Sequence, residues 1–174
     1  MDIRFYPDPV LKEPTKLVRA FDAALADTAQ QMVVTMHAAE GLGLAAPQVG
    51  LGLRMAIITP EAAPGHETVL VNPEIIHSEG WEESEEGCLS FPGIYVKIGR
   101  CVRVKVRYQD LQGAVQEMEA EGLAARAVQH ELDHLDGRLL VDRMSPVQRM
   151  AQRHRLNNLL ERYERRQAKA AEAV

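Results

Sequence analysis

The chain has 174 residues, 46% of them hydrophobic and 26% charged, and a net charge of −5. That length supports one sizeable core, and the acidic balance excludes bulk attraction to nucleic acid. No apolar run approaches the roughly 18 residues of a membrane span, and the opening MDIRFYPDPVLKEP has neither the basic start nor the apolar stretch of a secretory signal.

Only two cysteines occur, Cys88 and Cys101. In a chain of this size they point to a reducing, cytoplasmic setting and away from a disulfide framework, with a Cys88–Cys101 bond as the lesser alternative. In chain order, Asp22 is placed to cap a helix with Leu25, Met32, Val33 and Met36 on one side, ending at Gly41. Strand-like runs follow at RMAIIT (54–59), TVLVNP (68–73) and RVKVRYQD (103–110). Val102, Val104 and Val106 alternate with basic residues, which predicts a strand with one wet face. Pro64-Gly65 and Pro92-Gly93 mark loops. A second helix is predicted from about Leu123 to Leu135, stopping at Gly137. Ser145, Pro146 and Gln148 form the start signature of a third, which runs almost to the end of the chain. Helix, strands, helix and terminal helix in that order predict an α+β fold without βαβ units. No repeat or linker interrupts it, so residues 1–174 are expected to form a single domain.

The stretch QHELDHLDG (129–137) lies on the second helix. Residues four apart share a helix face, so His130 and His134 can aim at one ion, while Glu131 sits about 100° round the helix, near enough to meet a metal-bound water. Leu123 and Ala127 extend the same stripe, placing an apolar surface beside the ion. The remaining histidines, His37, His66, His77 and His154, have no such pairing. A hydrolytic centre of this kind takes three protein ligands and leaves one position open. Downstream, Asp136 is too near to wrap round, and Asp142, His154 and Glu161 fall at or beyond a helix start. Upstream, EEGCLSFPG offers Cys88 after a glycine. Spacing alone leaves open whether Cys88 is a thiolate ligand or a buried structural thiol.

GLGLAAPQVG (41–50), EGCLS (86–90) and QHELDH (129–134), in that order, resemble the three signature motifs of the peptide deformylases. YPDPVL, LVNPEI and GLAARAVQHE extend the likeness over most of the first 143 residues. The resemblance implies short antiparallel sheets around a central HExxH helix, with a terminal helix of the bacterial type. It implies that Cys88, His130 and His134 hold one ion per chain, ferrous iron by preference, with zinc, nickel or cobalt able to substitute. Ligand softness by itself favours zinc. It further implies removal of the formyl group from N-formylmethionyl nascent peptides, with Glu131 moving the proton and Gln48 and the Leu89 backbone N–H stabilising the oxyanion. Gly43 is expected to touch the substrate backbone, and Leu42, Leu123, Arg126 and Ala127 to line the methionine pocket. Gly41 and Gly43 leave room for a peptide to run alongside as an added strand. The glycine-rich stretch lacks the lysine and third glycine of a phosphate-cradling loop. Pro47 and the pair Ile94-Tyr95 depart from some relatives; Ile94-Tyr95 bears on recognition beyond methionine.

From Arg143 onward eight basic residues face three acidic ones, a net +5 against −10 for residues 1–142. The division is therefore a catalytic core, 1–143, and a basic helix, 144–174. Such asymmetry suggests an anionic partner. With a nascent chain as substrate, the resemblance makes the ribosome that partner, through RNA or protein near its exit tunnel; a solvated helix with Leu156, Leu159, Leu160 and Tyr163 packed inward is the alternative. Two rival readings remain: a zinc metallopeptidase using the same helix, and an inactive deformylase-like module that binds ribosomes.

Overall fold

The computed structural model describes residues 1–59 and 65–172. Helix α1 (Ala23–Ala38) starts where Asp22 accepts a hydrogen bond from the Leu25 N–H at 3.0 Å, the expected cap. It buries Leu25, Ala29, Met32 and Met36. The helix ends three residues before Gly41, because Glu40 itself adopts the left-handed conformation (φ 54) and returns the Gly41 N–H to Met36 O at 2.9 Å.

Among the described residues seven strands follow: β1 (Gly43–Ala45), β2 (Met55–Ile58), β3 (Thr68–Glu79), β4 (Glu82–Gly87), β5 (Tyr95–Arg100), β6 (Arg103–Gln109) and β7 (Val115–Glu121). They make a five-stranded antiparallel sheet, ordered β1-β2-β3-β6-β7, and a separate β4–β5 pair. The sheet is apolar on both faces near β2, which explains the unbroken run MAII. Met55, Ile57 and Val71 join α1; Ile58, Leu70, Val104 and Val106 meet Ala125, Val128 and Leu132 of helix α2 (Gly122–Leu135). β6 has the predicted wet face, with Arg103 and Arg107 exposed and Val104 and Val106 buried. Of the two proline-glycine loop signals, Pro92-Gly93 falls between β4 and β5, and Pro64 lies outside the described residues.

α2 closes as expected at Gly137 (φ 70), with Arg138 N–H bonded to Asp133 O at 2.8 Å and Gly137 N–H to His134 O at 3.1 Å. A short helix α3 (Leu140–Arg143), unmarked in the sequence, leads into α4 (Pro146–Glu172). Ser145 and Gln148 exchange the predicted reciprocal capping bonds, at 3.2 and 2.8 Å. The Gln148 amide also donates to Lys97 O at 2.7 Å, which pins the start of α4 to β5. Leu159 is buried and Leu156 half-buried against Leu11, Phe91, Ile94 and Val96. Leu160, expected to face inward, is 41% exposed. Leu159 and Leu160 point about 100° apart on α4, and of the two it is Leu159 that reaches the body. Among the described residues no helix is long and apolar enough to cross a membrane.

Candidate metal centre and active site

α2 is clasped between the two sheets. The face carrying Ala125, Val128 and Leu132 lies on the large sheet, and the other turns Arg126, His130 and Asp133 toward the β4–β5 pair. β4 ends at Gly87, opposite Tyr95, and the next residue is Cys88. The chain then turns, with Phe91 N–H on Cys88 O at 2.9 Å, so the thiol is delivered to the histidines from a fixed strand end. Cys88 Sγ lies 3.2 Å from His134 Nε2, and one ligand atom from each of Cys88, His130 and His134 falls within 4.8 Å of the other two.

Of the two histidines, His130 is oriented from behind. His130 Nδ1 is 2.6 Å from Glu86 Oε1, which assigns a proton to Nδ1 and makes Nε2 the nitrogen that would take a metal. Burial works to raise the Glu86 carboxyl, yet hydrogen bonds from His130 and Arg100 hold it well below the usual carboxylate range. His134 is 1% exposed; burial pushes its ring well below the ordinary histidine range, so it stands neutral, and its Nδ1 has no partner among the described residues. A cysteine sulfur with two imidazole nitrogens is a donor set that suits a divalent transition metal, so the residues present fit such an ion.

Glu131 is 3% exposed, and burial pushes its carboxyl up to about 7. Its Oε2 has no partner among the described residues. The carboxylate lies directly over Gly43. A Cβ there would stand 2.9 Å from both Cγ and Cδ of Glu131.

Gln48 is 1% exposed on a short turn, Ala46–Val49. Its Oε1 accepts the Ala45 N–H at 2.8 Å, which turns the Nε2 donor toward Ser90 Oγ (3.2 Å) and Cys88 Sγ (3.7 Å). The Leu89 N–H, the second expected oxyanion donor, makes no hydrogen bond among the described residues.

These groups open into one cavity of about 520 Å³. Every expected metal-binding, catalytic and pocket residue lines it except His134, which is buried. Leu123, 56% exposed, stands at its mouth, and Leu42 and Ala127 are half-buried. Arg126 stands among the lining residues. It touches the cavity, but its guanidinium is committed to Glu86 (3.1 Å), Ile98 O (2.8 Å) and Glu82 O (3.1 Å), so only its stem is free to contact a ligand. Tyr95 also lines the mouth at 59% exposure. Cys101 takes no part: both cysteines are free thiols, and the Gln129 amide occupies its N–H and C=O at 2.9 Å each.

The sequence did not disclose what supports this centre. Glu86 sits in an acidic run, EESEEG, that reads as solvent-facing until its buried arginine partners are seen. The segment around YPDPVL joins two motifs: Arg4 N–H bonds Gln48 O at 2.7 Å and Tyr6 N–H bonds Ser90 O at 3.0 Å.

Residues 1–150 match the family model described as polypeptide deformylase. The peptide deformylase of Thermotoga neapolitana is 46% identical over 158 residues, covering 90% of this chain and 94% of that protein. That of Acidobacterium capsulatum is 47% identical over 146 residues, covering 83% and 86%. Among solved structures, Arabidopsis thaliana peptide deformylase 1B superposes with a TM-score of 0.92 at 39% identity, covering 95% and 93% of the two chains. A peptide deformylase from Legionella pneumophila gives 0.86 at 42% identity, covering 96% of each.

Proposed function

The chain belongs to the peptide deformylase family, and from that premise we propose that Cys88, His130 and His134 hold one ion beside which Glu131, Gln48 and Leu89 carry out the chemistry. The family assignment establishes the reaction: a metal-dependent hydrolase removes the formyl group from the N-terminal formylmethionine of nascent polypeptides and releases formate. The observation that carries the residue roles is the convergence of three ligand atoms within 4.8 Å on a cavity that also holds Glu131 and Gln48.

A divalent ion at these ligands supplies Lewis acidity, acidifying water and polarising a carbonyl. Glu131 takes the proton of the attacking water as its oxygen bonds to the formyl carbon. The Gln48 amide and the Leu89 N–H donate to the oxygen on which negative charge gathers, and such pre-aimed donors are worth about a hundredfold or more in rate. Glu131 passes the proton to the amine nitrogen as the C–N bond breaks. Leu42, Leu123, Ala127 and the Arg126 stem receive the methionine side chain. β1 is the edge of the large sheet, which suits a peptide laid along Gly43 as an added strand.

Ferrous iron is the proposed ion, with zinc, nickel or cobalt as substitutes, and the cytoplasm the proposed setting. The zinc-peptidase reading is not favoured by the family assignment, nor the inactive-module reading by the intact Gln48, Cys88, His130, Glu131 and His134. The test is formate release from an N-formylmethionyl tripeptide by protein purified without oxygen and assayed with ferrous iron. Rapid release, lost in Glu131→Ala and absent with an internal peptide bond as the only target, is expected. Full activity in Glu131→Ala would overturn its role.

We further propose that α4 docks on the ribosome near the exit tunnel. Arg149, Arg153, Arg155, Arg162, Arg165 and Arg166 are exposed, which supports the reading, whereas Arg143 is tied inward to Asp133. Because Leu159 belongs to the core, charge reversal is a cleaner test than truncation. Arg149→Glu, Arg153→Glu and Arg162→Glu together should reduce co-sedimentation with ribosomes while leaving tripeptide turnover intact; unchanged pelleting would sink the idea.

A further inference from the structure

Behind the metal centre a single guanidinium joins two buried carboxylates. Arg100, 4% exposed at the end of β5, donates from Nε and Nη2 to Glu86 at 3.1 and 2.7 Å and from Nη1 to Asp133 Oδ2 at 2.6 Å. Glu86 is the residue that holds the Nδ1–H of His130, and Asp133 directly precedes His134 on α2. Arg126 closes the far side of Glu86 at 3.1 Å, and Arg143 closes that of Asp133 at 2.9 Å.

We propose that Arg100 is a positioning residue for the metal centre: its fork locks Glu86 against His130 and, through Asp133, fixes the histidine-bearing turns of α2 against the strand that delivers Cys88. The proposal rests on the ligand set assigned above. A purely electrostatic role would not need this residue type, because Arg126 and Arg143 already supply each carboxylate with a countercharge. What neither supplies is a rigid, planar link between the two. Lysine preserves the charge but is a point donor on a flexible stem, and it cannot hold both oxygens of Glu86 while reaching Asp133. Arg100→Lys therefore keeps the cluster's charge and removes its geometry.

Partners behind a metal-bound histidine commonly govern affinity by 10- to 100-fold, so Arg100→Lys is expected to weaken metal binding by about that factor. The readouts are the dissociation constant by chelator competition and the visible spectrum of the cobalt-loaded protein, which reports ligand geometry independently of turnover. Combining it with Glu86→Gln provides the decisive comparison: with the link to His130 already cut, Arg100→Lys should cost no more than a few-fold further. Asp133→Asn, which removes the charge at the other end of the fork, serves if Arg100→Lys does not fold, and should weaken binding by at least several-fold. Native affinity and an unshifted cobalt spectrum in these variants would overturn the proposal, as would losses from Arg100→Lys and Glu86→Gln that multiply in full. Failure of the underlying ligand set has a different mark: Cys88→Ala would then bind the ion as tightly as the parent chain.

Discussion

Replacing Gly43 with alanine adds one methyl group directly against the carboxylate of Glu131. The new Cβ would stand 2.9 Å from Cγ and Cδ of Glu131, whereas ordinary contacts lie at 3.4–4 Å. Glu131 must then retreat by about half an ångström or more, because strand pairing of Gly43 with Ile58 and the Thr59 N–H bond to Leu42 O at 2.9 Å hold the other side. Misplacing a catalytic group by about 1 Å costs on the order of 100-fold, equivalent to about 2.7 kcal/mol of barrier. Overpacking should lower stability by about 1–3 kcal/mol, insufficient to unfold a domain of ordinary stability. The assay is kcat on an N-formylmethionyl tripeptide under anaerobic conditions, with bound metal counted in the same sample. A drop of about a hundredfold at undiminished metal content is expected, since the substitution touches none of Cys88, His130 and His134. Parental kcat in Gly43→Ala would refute the reasoning, because the carboxylate position would then be dispensable or easily relaxed.

Gln48→Ala should lower kcat by about a hundredfold with a smaller change in KM, and should destabilise the fold by about 1–3 kcal/mol, because the buried Ala45 N–H loses its acceptor. Denaturant melts and steady-state kinetics separate the two effects. Ala127→Leu extends a side chain into the cavity; KM for formylmethionyl peptides should rise at least tenfold while a formylalanyl peptide is affected less, and equal effects on both would remove Ala127 from the methionine pocket. Stripping the metal should abolish activity and lower the melting temperature, since ligand at a hundred times its dissociation constant stabilises the folded state by about 2.7 kcal/mol. Restoration of both by ferrous iron, followed by calorimetry, checks this, and an identical melt with and without metal would contradict it.

Local rules made part of this protein legible in its sequence. The four-residue spacing of His130 and His134, the Asp22 cap, the Ser145–Gln148 capping box and the valine alternation of β6 each depend on neighbours a few residues away, and each has the expected form here. The motif order from Gly41 to His134 was enough to suggest the family. Contacts between distant segments decided the rest. β4 carries no apolar alternation: its burial comes at Glu86, and only Arg100 and Arg126, brought alongside by β5 and α2, allow a carboxylate to be dry there. Arg126 lines the cavity while its guanidinium is spent on that carboxylate, and of the neighbours Leu159 and Leu160 only Leu159 is buried. Gly43 illustrates the difference most directly. Its sequence context allows a close approach of some backbone, but only the packing of α2 on β1 reveals that what approaches is the carboxylate of Glu131. A sequence determines what each segment can offer its neighbours; which buried charge meets which partner depends on where the sheets and helices come to rest.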